Sequence, residues 1–349
     1  MGELTHFGER PHSPNYGTAD ATPLGWSYSM RPSAGPVMPS WCANWNRTPG
    51  RLWHGSMTMA TSTATGTWNT SAGTRRPAWR TCAGRTRGKL DPVRGRDQLE
   101  ASRATCEIQG YVYDVKRRCA RLARELWDDA ELADELDRQA DGLKARFNRD
   151  FWIPDREYFA IALDGDKRQV DSLTSNIGQL LWSGIVDADK AEAVRRHLMS
   201  DRMFSGWGVR TMAEGMEGYN PIEYHNGTVW PHDNSFVMAG LRRYGFAEDA
   251  ARIAYALLEA ATYFEWRLPE VFAGYRRSLT RFPVEYPTAS SPQAWVTGTP
   301  LLLLREVLGL DPDGERLRSD PVLPPEITEL SLRGIRGRWT SADVVAERP

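Results

Sequence analysis

The sequence predicts an all-α protein made of helical hairpins, with a small β appendage at its C-terminus. Three observations carry this. Between residues 104 and 310 apolar residues recur at helical spacing; helix follows helix with loops between them instead of alternating with strands; and after residue 310 the text becomes proline-rich and alternating.

From Lys116 to Phe147, the residues Leu122, Leu126, Leu132, Leu136, Leu143 and Phe147 form an apolar stripe with charges between them. That predicts one amphipathic helix, or two divided near Asp128 and Asp129. A short helix is expected over Asp189 to Met199, and another from Asn234 to Tyr244, stopped by Gly245. Glu248 to Phe264, rich in alanine and leucine, reads as a further helix. Ser291-Pro292 resembles a cap followed by proline at the first helical position, opening a helix to Leu308 that Gly309 ends. Within 311–349, DPVLPPEI leads into Thr328-Glu-Leu-Ser-Leu-Arg, which alternates like a short edge strand.

Residues 26–100 are unlike the rest. The stretch GSMTMATSTATGTWNTSAGTRRPAWRTCAGRTRG has neither period and almost no aliphatic residues, which is the composition of a linker. Yet six of the fourteen tryptophans (Trp26, Trp41, Trp45, Trp53, Trp68 and Trp79) fall in the first eighty residues, too many for an ordinary linker.

Composition excludes several classes. Forty-four basic residues against forty-five acidic ones provide no field for nucleic acid or an anionic membrane. No apolar run is long enough to span a bilayer, and the N-terminus lacks the order of a signal peptide. Cys42, Cys82, Cys106 and Cys119 show no C-x-x-C pair or partnering histidines, so a reducing cytoplasm is expected, without zinc, other metal or organic cofactor.

The densest chemistry lies in Tyr224-His-Asn-Gly-Thr-Val-Trp-Pro-His-Asp-Asn234. It holds two imidazoles, two amides, a carboxylate, a phenol and an indole in eleven residues. Planar hydrogen-bonding groups beside aromatic faces suit a polyhydroxylated ring, whose hydroxyls each need a donor and an acceptor. Asp233 and Asn234 read equally as helix caps when taken alone. In Leu268-Pro-Glu-Val-Phe-Ala-Gly274, Glu270 sits in an apolar loop, where an unpaired carboxylate would have a raised pKa suited to a general acid or base. A solvated loop glutamate is the plainer alternative. Phe204-Ser-Gly-Trp-Gly-Val-Arg210 and Ser290-Ser-Pro-Gln-Ala-Trp295 each put an indole beside polar groups; core packing is the alternative for either tryptophan.

Seven segments in order, YGTADATPL (16–24), CEIQGYVYDVK (106–116), DSLTSNIGQLLWSGI (171–185), FSGWGVRTM (204–212), YNPIEYHNGTVWPHDNSFVMAGLRRYG (219–245), LPEVFAG (268–274) and YPTASSPQAW (286–295), resemble the bacterial amylo-α-1,6-glucosidase or glycogen-debranching family. The resemblance covers 1–25 and roughly 104–335. It implies an (α/α)₆ toroid, incomplete here, and an inverting glycosidase acting on α-1,6 linkages of glycogen-like or malto-oligosaccharides. By this resemblance Glu270 matches the general base. Tyr224, His225, Asn226, Trp230 and Asp233 match the glucose-binding end of the pocket. Trp207, Arg210, Gln293 and Trp295 match its wall, and Asp20 a motif at its mouth. A glycosidase for another α-linked sugar, such as a trehalose-like or mannosyl compound, and a non-catalytic glycan-binding protein are the rival readings.

One departure matters. The family's general acid lies in a Trp-Lys-Asp-Ser-Trp motif after an Asp-Gly-Asp-Gly-Tyr stretch, and this sequence has neither. A reading-frame slip would account for it. With one choice of synonymous codons, Cys82–Gly88 read two nucleotides later encodes Arg-Trp-Lys-Asp-Ser-Trp, and Ala60–Ser71 in the same offset encodes Asp-Leu-Asp-Gly-Asp-Gly-Tyr-Val-Glu-Tyr-Gln. The expected organisation is therefore a toroid fragment over 1–25, a frame-shifted and poorly ordered segment over 26–103, the main part of the toroid over 104–310, and the β tail over 311–349. Resequencing the locus checks this: an intact frame through 26–100 rules it out. The opening MGELTHFGERPHSPNYG is expected to fall inside a longer natural chain.

Overall fold

The structure, a computed structural model, describes residues 104–348 and the backbone of two short strands, β1 (Thr61–Ser62) and β2 (Trp68–Asn69), which pair antiparallel. Asp20, Cys42 and Cys82 lie outside the described residues, as do the 1–25 fragment and the remainder of 26–103.

Helix α1 (Cys106–Glu125) and helix α2 (Ala130–Asp150) form the first hairpin. The division falls where the two aspartates stand. Asp128 has φ 52°, and the Asp129 side chain accepts the Leu132 N–H at 2.9 Å, capping α2. The start of α1 is earlier than its periodicity suggests because Cys106, Ile108, Gln109, Gly110 and Tyr111 are all buried. A helix end buried on several faces has no polar stripe to reveal it. Below α2, Phe147 stacks on Phe151 at 4.7 Å and on Phe159 at 5.0 Å between ring centroids. Phe159 belongs to the hairpin β4 (Trp152–Ile153) and β5 (Tyr158–Phe159). A three-stranded antiparallel patch, in the order β3 (Ala104–Thr105), β6 (Ala162–Leu163), β7 (Gln169–Val170), lies next to it.

Helix α3 (Asn176–Ser183) carries no helical signature in the sequence because all eight of its residues are buried. Gly184, at φ 82°, ends it. Helices α4 (Ala188–Leu198), α5 (Pro231–Arg243) and α6 (Ala247–Thr262) agree with expectation to within a few residues. The expected helix from Ser291 does not form. Ser291-Pro292 is a cis peptide in a loop, and after the short helix α7 (Arg277–Thr280) the last helix is α8 (Thr299–Val307), with Pro300 in its first turn. The helix that does form has Gly298 as its N-cap residue and no side-chain cap, so of the expected start signal only the proline in the first turn is present.

Consecutive helices pack as hairpins, α1 on α2, α3 on α4 and α5 on α6, while α1, α3, α5 and α8 contact one another in series. The α3–α5 crossing is close because residue 240 is glycine. A Cβ there would stand 2.6 Å from the Trp182 backbone N and 2.7 Å from the Gly178 carbonyl. The C-terminal tail is two antiparallel hairpins, β8 (Asp311–Asp313) with β9 (Arg316–Arg318) and β10 (Glu329–Gly337) with β11 (Thr340–Glu347). The expected edge strand is thus one half of a longer pair, held to the helices by Leu308, Val344 and Ala346 and by the Arg242–Asp320 ion pair. Cys106 and Cys119 are buried free thiols. Among the described residues no helix is long and apolar enough to cross a membrane.

Candidate active site

Two long connections, between α4 and α5 and between α6 and α8, carry most of the motifs singled out in the sequence. Backbone hydrogen bonds stitch them into one irregular ladder. Ser175 N–H donates to the Thr211 carbonyl at 3.1 Å and Thr211 N–H to the Thr228 carbonyl at 2.8 Å. Val229 and Phe272 exchange both bonds at 2.9 and 3.0 Å, and Ala273 N–H donates to the Val284 carbonyl at 2.9 Å. Segments 171–185, 204–212, 219–230, 268–274 and 284–290 therefore meet beside the N-terminus of α5.

Glu270 is buried in this ladder, at 8% exposure, and both of its carboxylate oxygens are met. The Tyr224 hydroxyl donates to Oε1 at 2.6 Å and the Ser290 N–H to Oε2 at 3.0 Å, while Glu270's own N–H donates to the Ser290 carbonyl at 3.1 Å. The apolar loop thus holds a paired carboxylate and not a bare one. Burial first, and then the Glu270 carboxylate, hold the Tyr224 phenol well above the usual tyrosine range, so it remains a donor.

Aromatic rings lead outward from Tyr224. Its ring centroid is 4.6 Å from His225, 4.8 Å from Trp230 and 5.5 Å from Tyr286. Trp230 meets Trp295 edge-on at 6.4 Å, and Trp295, 49% exposed, stacks on His232 at 4.6 Å. The Trp230 indole N–H donates to the Tyr224 carbonyl and to the Thr228 hydroxyl, fixing the wall to the loop. An aromatic face that is exposed at one end and reaches a buried carboxylate at the other is a surface on which a sugar ring can lie.

The remaining expected residues occupy other places. Arg210 is fully buried, and its guanidinium donates to the carbonyls of Gly274, Asp201 and Arg202, so it braces the ladder from behind. Trp207, 1% exposed, packs edge-on to Tyr263 with the Arg277 guanidinium 4.4 Å from its centroid. Gln293 is half-buried in the loop before α8, next to Trp295 in the chain. Asn226 is buried, with an amide oxygen that finds no hydrogen-bond partner among the described residues.

Neither Asp233 nor Asn234 caps its helix, since Trp230 is the N-cap residue and makes no side-chain cap bond. Asp233 accepts the Gln179 amide at 2.6 Å, and Gln179 in turn accepts the Tyr111 hydroxyl, a buried polar relay across α5, α3 and α1. Asn234 clamps residue 209 on both sides, accepting its N–H at 2.7 Å and donating to its carbonyl at 2.9 Å and to that of Trp230 at 3.0 Å. Asn234→Ala leaves the buried N–H and carbonyl of residue 209 unpaired, while the Trp230 carbonyl keeps the backbone N–H of residue 234 at 3.0 Å. A loss of about 2–4 kcal/mol in urea unfolding is expected, since each stranded group costs roughly 1–3 kcal/mol.

Sequence reading passed over Ser290, Tyr286, Gln179 and Tyr111 as site residues. Ser290 acts through its backbone, which leaves no letter to find, and the others show their roles only once distant segments meet.

The helical hairpins thus carry an aromatic wall that ends on a held, buried carboxylate. Residues 32–272 match the mannosylglycerate hydrolase MGH1-like glycoside hydrolase domain, and the chain belongs to that family. No curated protein matches the chain. Among solved structures it is similar to a sialidase, at 16% identity and TM-score 0.56 over 67% of this chain and 23% of that one. It is also similar to the GH63 mannosylglycerate hydrolase from Thermus thermophilus in complex with glucose, at 19% identity and TM-score 0.47 over 58% and 48% of the two chains. A third is the neutral trehalase Nth1 from Saccharomyces cerevisiae, at 18% identity and TM-score 0.46 over 58% and 38%. The chain thus spans less than half the length of each, and likeness at this identity extends to the fold alone.

Proposed function

We propose that the site is the base side of an inverting α-glycosidase, with Glu270 activating the attacking water, and that the hairpins of 104–310 belong to an (α/α)₆ toroid. The observation that supports this most is a buried carboxylate held at both oxygens at the inner end of an aromatic wall. In an inverting hydrolysis the base takes a proton from water while the water oxygen bonds to the anomeric carbon, and an acid on the other face protonates the leaving oxygen. The sequence resemblance favours α-glucosidic linkages, including α-1,6 branches. The family match favours a mannosyl linkage as the second reading.

The general-acid motif is missing from the sequence, so slow turnover of ordinary glycosides is expected; proton transfer of this kind typically contributes about 10²–10⁴-fold. A test that needs only the base uses α-glucosyl and α-mannosyl fluoride, because fluoride departs without being protonated. Proton NMR of the freshly released sugar reads the outcome. The β-anomer supports the inverting reading, and the preferred fluoride identifies the sugar. Release of the α-anomer, or no hydrolysis alongside binding of maltotriose, would replace this reading by a retaining enzyme or a glycan-binding protein.

A further inference from the structure

We propose that Tyr224 is the positioning residue of Glu270: its hydroxyl, opposite the Ser290 N–H, fixes the carboxylate plane so that one free lone pair faces the attacking water. The inference rests on Glu270 being the base.

The geometry is built for this. A carboxylate has about four lone-pair sites on its two oxygens. One donor on each oxygen, at 2.6 and 3.0 Å, removes rotation of the group and leaves one site per oxygen to receive a proton. Tyr224 is itself held. Its carbonyl accepts the Thr228 hydroxyl at 2.8 Å and the Trp230 indole N–H at 3.1 Å, and its ring is wedged among His225, Trp230 and Tyr286. The Ser290 donor is backbone and is locked by the reciprocal bond from the Glu270 N–H, so Tyr224 is the half of the clamp that a side-chain change can remove. The titratable groups facing this pair are His225 and Tyr286, with ring centroids 4.6 and 5.5 Å from that of Tyr224. In the reaction water gives its proton to a free lone pair of Glu270, the new C–O bond forms and fluoride leaves as the anion. The phenol keeps its proton throughout.

Tyr224→Phe keeps the ring and deletes only the donor. Two effects are expected. The kcat on the preferred α-hexosyl fluoride falls about 10–100-fold with KM little changed, the size of effect that misplacing a reacting group produces. The acidic limb of the pH–rate profile moves to higher pH, because a hydrogen bond to the ionised carboxylate has been lost. A purely structural tyrosine would lower activity or stability without moving that limb. Carbon NMR of glutamate-labelled protein follows the Glu270 carboxyl titration independently of turnover, and its midpoint should rise in the variant. A wild-type midpoint and profile in Tyr224→Phe overturn the positioning role while Glu270→Gln still tests the base. Full activity in Glu270→Gln overturns the base reading and this inference with it.

Discussion

Replacing Glu270 by glutamine is expected to lower hydrolysis of an α-hexosyl fluoride by about 10²–10⁴-fold while leaving the fold intact. Glutamine has nearly the same shape, and its amide oxygen still accepts one of the two donors that the carboxylate meets, the Tyr224 hydroxyl or the Ser290 N–H. What it lacks is any basicity to take the proton from water. The NH₂ half must face the second donor, so a small loss of stability of about 1–2 kcal/mol accompanies the change. A fluoride electrode reads the rate, and near-ultraviolet circular dichroism reads the packing. A residual rate within about tenfold of the parent, taken against that 10²–10⁴-fold expectation, would move the base elsewhere. Asp233 is then the next carboxylate to test, buried at 2% exposure and held by Gln179.

Gly274→Ala is expected to have the largest effect on stability of any single methyl in the site. Three motif segments cross at this residue. Its N–H donates to the Pro221 carbonyl at 2.7 Å, its carbonyl accepts Arg210 Nε at 2.6 Å, and an added Cβ would stand 1.8 Å from the Gly227 carbonyl oxygen. That neighbour is backbone and has no rotamer with which to move aside. The 219–230 and 268–274 segments would have to separate, breaking the Val229–Phe272 pair and shifting Glu270 with its loop. Overpacking typically costs about 1–3 kcal/mol, and a clash with fixed backbone belongs at the top of that range or above it. Urea unfolding should show a loss of about 3 kcal/mol, with fluoride hydrolysis falling in parallel. Stability within about 0.5 kcal/mol of the parent, the spread of an ordinary surface substitution, would mean that the segments are not interlocked as described.

The two changes probe different layers of the same construction. Glu270→Gln removes chemistry from an intact frame, whereas Gly274→Ala disturbs the frame that presents the chemistry. Seen together with Tyr224→Phe and Asn234→Ala, they separate the proton acceptor, the group that orients it and the bonds that hold the ladder.

What the sequence determined by itself was periodic or chemically dense. The apolar stripes of α2, α4 and α6 fall near their expected places because a helix with one face in water must write its period into the letters. The Tyr224–Asn234 segment and Glu270 stood out for the kinds of group they offer, and the structure brings Tyr224, His225, Trp230 and Glu270 together. Tertiary structure decided the rest. Helix α3 was hidden because burial on all sides erases its period, and Ser291-Pro292 misled because a loop can carry the same cap letters as a helix start. An arginine reads alike whether its partner is a sugar hydroxyl or a carbonyl, so the bracing role of Arg210 needed coordinates. The second donor to Glu270 is the Ser290 backbone, identical in every residue but proline, and only the meeting of two segments twenty residues apart gives it a role.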